Sequence, residues 1–485
     1  MNAKGVTDLG FEPFVALNVG EHNFPLDYWI RQQHRSAVAA TEAFPRYWAG
    51  KPETLLTQCN VHSLMLGTGR SIYQSILPVI EAAEHEVLLV TCFWARSETL
   101  ELLNNSLRKL SAKAKHNGRK ITVRIGFSSS SLFQKLFHTP SPEGKTYSSS
   151  TWVSKLGLPN PDELTGLDLK VKSIFVRPFS VMHPKFIVVD RKTVLLPSCN
   201  ISWEEWFEGC VQLSGLIVAE FVRFAIGFWW FDQNLSTANV AVTKGSVRPT
   251  DMPSINTTEL LASQELTLNV YGVFLPSPHH RNPRFALPWK ECPSPPPTPL
   301  NSYLMCYFAA AQTSIYMQTP NLTAPPVLSA LLAALRRGIF MDIVTSERLM
   351  ILEQLVTGGT TTSRCVRKLV KRHKRLVGEQ LQASSRDVEA GEAAKVGRLR
   401  IRYYQPDPTA GKESGEPVQS HLKLTIFDNE EVVLGSGNMD RASWYTSQEL
   451  GVAFTSKDFA ASMKAMLHET LMSRTKLVYD SGEKK

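Results

Sequence analysis

The sequence predicts an α/β protein made of two similar α-β-α halves with mixed sheets, related by a pseudo-twofold axis and sharing one active site. Three observations predict it. Helix-like and strand-like stretches recur in the same order in both parts of the chain. A proline-dense run from Pro276 to Pro299 lies between them. One polar motif, His-x-Lys-x4-Asp, stands late in each part, at His183 and at His421. The length of 485 residues agrees, because it exceeds one ordinary core and suits two domains of about 200 residues each.

In the first half, Ser71 to Ala83 has helical spacing and leads into the strand-like EVLLVTCFW, from Glu86 to Trp94. A helical run from Glu98 to Lys115 follows, then the strand ITVRIGF from Ile121 to Phe127. In the second half, Leu300 to Ala311 reads as helix and SIYMQTP, from Ser314 to Pro320, as strand. Val327 to Arg337 then reads as helix and FMDIVTS, from Phe340 to Ser346, as strand. The expected divisions are an amino-terminal extension over 1–60, a first domain over 61–275, the linker over 276–299, a second domain over 300–478 and a tail over 479–485.

The second half carries an extra segment, Thr361 to Ala394. Its apolar positions fall at helical spacing, and Arg364, Arg367, Lys368, Lys371, Arg372, Lys374 and Arg375 cover the remaining surface. That face is either solvated or a contact for anionic headgroups or phosphates. Ala383 to Lys395 reads as a flexible loop. Gly215 to Phe231 is the most apolar stretch but contains Glu220 and Arg223 and falls short of the ~20 residues of a spanning helix. It reads as a buried helix, with an interfacial helix as the alternative. Neither a secretory signal nor a membrane span is expected, so the chain reads as intracellular and cytoplasmic with peripheral membrane association. Seven scattered cysteines without CxxC pairs suit reduced, buried thiols. A net charge of +9 favours an anionic partner without choosing between a lipid surface and a nucleic acid.

The two motifs are His183-Pro-Lys185 running to Asp190, and His421-Leu-Lys423 running to Asp428. Each is followed at matched offsets by a serine and an asparagine, Ser198 and Asn200 in one case, Ser436 and Asn438 in the other. Read as strands, each motif directs its His and Lys to one face, with the following Ser and Asn converging on the same patch. Asp190 and Asp428 fall on the opposite face or in the turn, a supporting position. Histidine serves as nucleophile or general acid, while lysine and the neutral donors suit the spread negative charge of a phosphoryl transition state. No carboxylate cluster accompanies the histidines, so no metal and no other cofactor is expected.

The paired HxKxxxxD motifs, each with a GSxN-like element, resemble the phospholipase D superfamily over about Gly67 to Leu467. IYMQTPNLTAPPVLSALLAALRRGIFMDIVTS is similar, more specifically, to cardiolipin synthases and their phosphatidyltransferase relatives, and HLKLTIFDNEEVVLGSGNMDRASW is so less specifically. The resemblance implies a covalent phosphohistidine intermediate, released to water or to an alcohol, with no metal requirement. The residues leave open which histidine attacks, and the resemblance favours His183 as the nucleophile. It also implies an acidic residue downstream of each motif that orients the histidine: Glu449, in SQELGVAF, fits that place in the second half, and Glu208, in FEGCVQL, is its first-half counterpart, three residues nearer its own motif. Pro197 stands where the second half has Gly435 and implies a less symmetric grip on phosphate. Trp203, Trp206 and Trp444 either pack in the core or line an apolar entrance. A phospholipid substrate and an anionic membrane surface are the expected partners, with nucleic acid as the rival and a non-catalytic scaffold last. Two motifs in one chain suit a monomer.

Overall fold

A computed structural model of the chain describes residues 24–39, 52–131, 143–177, 180–231, 260–279, 294–386, 395–411 and 415–482, with a few single positions between 134 and 141. In the first half these form α1 (Phe24–Ala39), β1 (Leu56–Gly67), α2 (Gly69–Glu81), β2 (Glu86–Phe93), α3 (Glu98–His116), β3 (Ile121–Ser129), β4 (Leu167–Ser173), β5 (Phe186–Val189), β6 (Thr193–Pro197), β7 (Trp206–Gly215) and α4 (Ile217–Phe224). The second half runs β8 (Leu260–Ser277), α5 (Pro299–Ala310), β9 (Ser314–Thr319), α6 (Pro325–Arg336), β10 (Phe340–Thr345), α7 (Ile351–Gly358) and α8 (Thr362–Arg386). It continues with β11 (Leu399–Tyr404), β12 (Leu424–Phe427), β13 (Glu431–Gly435), α9 (Arg441–Tyr445), β14 (Glu449–Thr455), α10 (Lys457–Leu471) and β15 (Thr475–Asp480).

The strands form one continuous mixed sheet in the order β4-β3-β2-β5-β6-β7-β1-β8-β14-β13-β12-β9-β10-β11-β15. The order outward from β1 in one half repeats outward from β8 in the other, so the antiparallel β1–β8 pair marks the pseudo-twofold axis. In each half three neighbouring strands are parallel, β2-β3-β4 and β9-β10-β11, because a parallel pair needs a crossover and the helices of β2-α3-β3 and β9-α6-β10 supply it, while β15 adds antiparallel outside β11.

Local chemistry explains the elements. α3 starts on a Ser97 cap that accepts the Leu100 N–H, carries Glu98 and Glu101 in its first turn and ends on Lys113, Lys115 and His116, a charge order that complements the helix dipole. β2 is apolar on both sides because both its faces are covered. Val87 and Leu89 meet the core under α2 and α3, and Leu88 and Val90 meet the core under α4. The middle of the Gly215–Phe231 stretch lies in that second core, with Leu216 and Phe231 exposed at its ends: α4 continues into a π turn over Ala225–Trp229, and Phe221, Phe224, Trp229 and Trp230 are fully buried. Among the described residues no helix is long and apolar enough to cross a membrane. Cys59, Cys92, Cys199, Cys210, Cys306 and Cys365 are buried and unbridged, while Cys292 lies outside the described residues.

Four expected boundaries differ from the structure, the first being that β8, from Leu260, belongs by the sheet's symmetry to the second half and not to a first domain reaching 275. The division at 60/61 falls inside β1, and the segment before it is more than an extension: Trp29 of α1 is fully buried and donates its indole N–H to the Pro299 carbonyl at 3.1 Å, across to the second half. The linker is shorter than 276–299. Pro276 closes β8 opposite Leu450, near a strand end where a lost N–H is tolerated, and Pro299 opens α5 behind a Thr298 cap. Residues 280–293 of that run, and most of the expected loop after α8, lie outside the described residues. The tail begins later than 479, because Tyr479 and Asp480 pair with Ile401 and Arg400 in β15.

Candidate active site

Each HxK tripeptide sits just ahead of its strand, which corrects the expectation that the whole motif is one strand. The reason is that its backbone is engaged across the pseudo-twofold axis. The His183 N–H donates to the Gln448 carbonyl at 2.9 Å, and the Gln448 N–H to the Val181 carbonyl at 2.9 Å. In the mirrored position Gln419–Ser420 pairs in parallel with Trp206–Phe207, and the His421 N–H donates to the Phe207 carbonyl at 2.9 Å. Each histidine is therefore docked beside the residue that precedes a glutamate of the opposite half.

The consequence is a crossed pair of contacts. His183 Nδ1 lies 2.9 Å from Glu449 Oε2, and His421 Nδ1 lies 2.8 Å from Glu208 Oε1. Each glutamate thus meets the other half's histidine, not the one upstream of it in sequence. Because a carboxylate only accepts, Nδ1 carries the proton and Nε2 is left with its lone pair. The two rings face one cavity of about 250 Å³, with centroids 6.4 Å apart and planes at 86°.

Ser198 and Ser436 do not converge on that cavity. Ser198 Oγ donates to Glu208 Oε2 and accepts the Gly209 N–H at 2.9 Å. Ser436 Oγ donates to Glu449 Oε2 at 2.5 Å and accepts the Leu450 N–H at 3.0 Å. The serines therefore fix the glutamates, each within its own half. The lysines are also set back: Lys185 Nζ donates to the His183 carbonyl at 2.9 Å and Lys423 Nζ to the His421 carbonyl at 2.6 Å, both side chains being buried. The asparagines do reach the cavity. Asn200 Oδ1 accepts the Phe93 N–H at 3.1 Å, and Asn438 Nδ2 donates to Asp440 at 3.0 Å.

Asp190 and Asp428 each occupy a left-handed turn position, φ 50° and 52°, next to a second left-handed residue, Arg191 or Asn429. From there Asp190 accepts the N–H groups of Glu84, His85 and Glu86, and Asp428 those of Gln312, Thr313 and Ser314. Gly435 answers a packing need. Its φ is +153°, and a Cβ there would meet the Leu450 carbonyl oxygen at 2.3 Å. The close approach that requires glycine is therefore to the neighbouring strand, not to a phosphate. Pro197 ends β6 opposite Cys210. The three tryptophans divide: Trp206 packs against His421 with centroids 4.6 Å apart and planes tilted at 49°, Trp203 lines the cavity while 62% exposed, and Trp444 is buried.

Several residues of the site have no motif of their own. Ser443 donates to Glu449 Oε1 at 2.6 Å from α9, the short insertion that accounts for the three extra residues before Glu449. Asp440 caps that helix and also holds Asn321. Cys92, Phe93, Glu204 and Glu353 line the cavity. Around it, Asn438 Oδ1, Ser447 Oγ, Glu204 Oε2 and both amide atoms of Gln448 are buried without a partner among the described residues. Such orphaned groups are costly unless something binds there, and they suit a polar ligand.

Burial favours a neutral ring at both histidines. It lowers His183 against the pull of Glu449, and it takes His421 down to about 3 against Glu208, with Lys423 and Lys185 adding to the effect. Burial opposes ionisation of Glu208 and Glu449, but the facing histidine and the serine bonds keep both below the usual carboxylate range. Burial brings Lys423 down to about 7, Glu208 opposing and Lys185 assisting. It lifts Glu204 to about 7. A cavity with neutral imidazoles, set-back lysines and unused donors is poised to gain protons when an anion enters.

Fold and site together define a duplicated α/β scaffold with two histidines facing one cavity. The cardiolipin synthase, PLD-like domain family matches residues 304–471. Phosphatidylserine synthase from Haemophilus influenzae Rd KW20 has a similar structure, with a TM-score of 0.50 at 13% identity over 92% of each chain, a likeness of fold alone. Nuc, a phospholipase D family member from Salmonella typhimurium, aligns at 21% identity over 37% of this chain and 90% of its own, with a TM-score of 0.25. No curated protein sequence matches significantly. The second half therefore carries a PLD-like domain over residues 304–471, and the chain as a whole shares the fold of that phosphatidylserine synthase.

Proposed function

We propose that the chain cleaves phospholipid phosphodiesters through a phosphohistidine and passes the phosphatidyl group to water or to an alcohol. The observation that carries this reading is the pair of histidines facing one cavity, each with Nδ1 held by a glutamate and Nε2 free to act. The matched family's description as cardiolipin synthase supports a lipid substrate.

His183, the less buried of the two rings, attacks phosphorus with its Nε2 lone pair. The bond from phosphorus to the headgroup oxygen breaks, and that oxygen takes a proton from His421, protonated once the anion has entered. In the second step His421 takes the proton of water or an alcohol, the new oxygen attacks phosphorus, and the P–N bond breaks to restore His183. Lys185 and Lys423 add positive charge behind the site, while Asn200 and Asn438 present amide groups to the phosphoryl oxygens.

The test offers the purified protein phosphatidylglycerol vesicles and, separately, single-stranded DNA, beside His183→Ala and His421→Ala. Lipid turnover lost by at least about 10²-fold in both variants is the expected result. Cardiolipin as product marks transfer, and phosphatidic acid marks hydrolysis. DNA cleavage with inert lipid would move the protein to the nuclease branch and overturn the proposal.

A further inference from the structure

Helix α7 is built inside out. Its buried residue is Gln354, whose amide donates to Asn321 Oδ1 at 2.8 Å and whose carbonyl accepts the Thr362 N–H at 2.6 Å. Its apolar residues face away from the protein: Leu352 is 80% exposed, Val356 61%, and Ile351 and Leu355 are exposed too. An ordinary surface helix buries its apolar stripe and wets its polar one, so this arrangement is unstable in water without an apolar partner.

Its position says what the partner is. Met350, the left-handed residue from which α7 springs, is exposed and also lines the catalytic cavity, as does Trp203. A residue that both lines a cavity and meets solvent lies at its mouth, so the apolar surface borders the entrance to the histidines. Immediately after α7 comes α8, with Arg364, Arg367, Lys368, Lys371, Arg372, Lys374 and Arg375 all exposed. Lys368 and Arg372, with Arg441 of α9, line a second groove of about 330 Å³ between α6 and α8. Apolar residues at an active-site mouth, flanked by clustered cations, match an anionic bilayer: the side chains enter the acyl layer while the cations meet the headgroups.

We infer that α7 and the basic face of α8 form a membrane-docking surface that seats the cavity mouth on an anionic phospholipid bilayer. The inference rests on the lipid-cleaving reading for its purpose, but binding and turnover can be measured apart. The 485-residue chain is sedimented with phosphatidylglycerol vesicles and with phosphatidylcholine vesicles, beside L352E/V356E and K368E/R372E. None of these four side chains contacts the catalytic histidines or their glutamates.

The expected result is binding to phosphatidylglycerol that L352E/V356E weakens by at least about tenfold, with an unchanged thermal midpoint. K368E/R372E abolishes the preference for the anionic vesicles and its sensitivity to salt. Wild-type binding to both vesicle types unaffected by L352E/V356E would overturn the inference. So would a dimer that L352E/V356E converts to monomer while vesicle binding persists, since α7 would then cover a second copy of the chain. Vesicle binding without turnover of any phospholipid leaves the docking surface standing and defeats the lipid-cleaving function instead.

Discussion

A neutral imidazole carries one proton, and a carboxylate at Nδ1 decides where it sits. Glu208 and Glu449 do this for the two histidines, and the serines that hold each glutamate keep its oxygens from turning away. Glu204 is a different kind of acid. It lines the same cavity, one of its oxygens lacks a partner among the described residues, and burial raises its pKa to about 7. Below that value it is neutral and hospitable to a phosphodiester anion. Above it, a second negative charge shares the cavity with the substrate. KM is therefore expected to rise as pH passes upward through about 7, and Glu204→Gln is expected to flatten that rise while leaving kcat within about threefold. A KM profile identical in wild type and variant would remove Glu204 from substrate binding.

At the scale of elements, the motif aspartates are turn residues with a reach. Asp428 sits at positive φ in the β12–β13 hairpin and gathers three N–H groups at the start of β9, tying a turn to the strand beside it. Asp428→Ala is expected to cost about 1–2 kcal/mol by leaving those donors to water, readable in denaturant unfolding. Asp428→Asn keeps a residue tolerant of left-handed backbone but loses the charge. Against burial, the backbone bonds hold the Asp428 carboxyl below its usual range. Its contribution is thus present above the unfolded pKa and lost as pH falls through the folded one. Wild type should lose more stability than Asp428→Asn on acidification below about 4. A pH-independent difference would contradict this. The helices and strands either side of β2 and β9 were legible in the sequence to within a residue or two, because their periodicity is local. β1 and β8 escaped because their partners are each other, some two hundred residues apart, and a proline-dense run beginning at Pro276 obscures the end of β8.

The same limit operates on the whole molecule. The spacing of His, Lys, Ser and Asn repeats in each half, with a glutamate further on, which exposed the residues but suggested that each half completes its own histidine. The fold instead docks each HxK backbone on the opposite half, so Glu449 serves His183 and Glu208 serves His421. The proposed activity is then a property of the closed pair, and the coupling between residues should follow space and not sequence. Groups in direct contact show interaction energies of about 0.5–3 kcal/mol, whereas well-separated groups add. In unfolding measurements, His183→Ala combined with Glu449→Gln should cost less than the sum of the two single changes, since the first loss removes the partner of the second. His421→Ala with Glu208→Gln should behave likewise. The within-half combinations, His183→Ala with Glu208→Gln and His421→Ala with Glu449→Gln, should sit closer to additivity, because no hydrogen bond joins those side chains. A cycle in which the within-half pairs couple and the crossed pairs add would mean that the halves associate differently from the arrangement described. The shared cavity, and the two-histidine mechanism with it, would then fall.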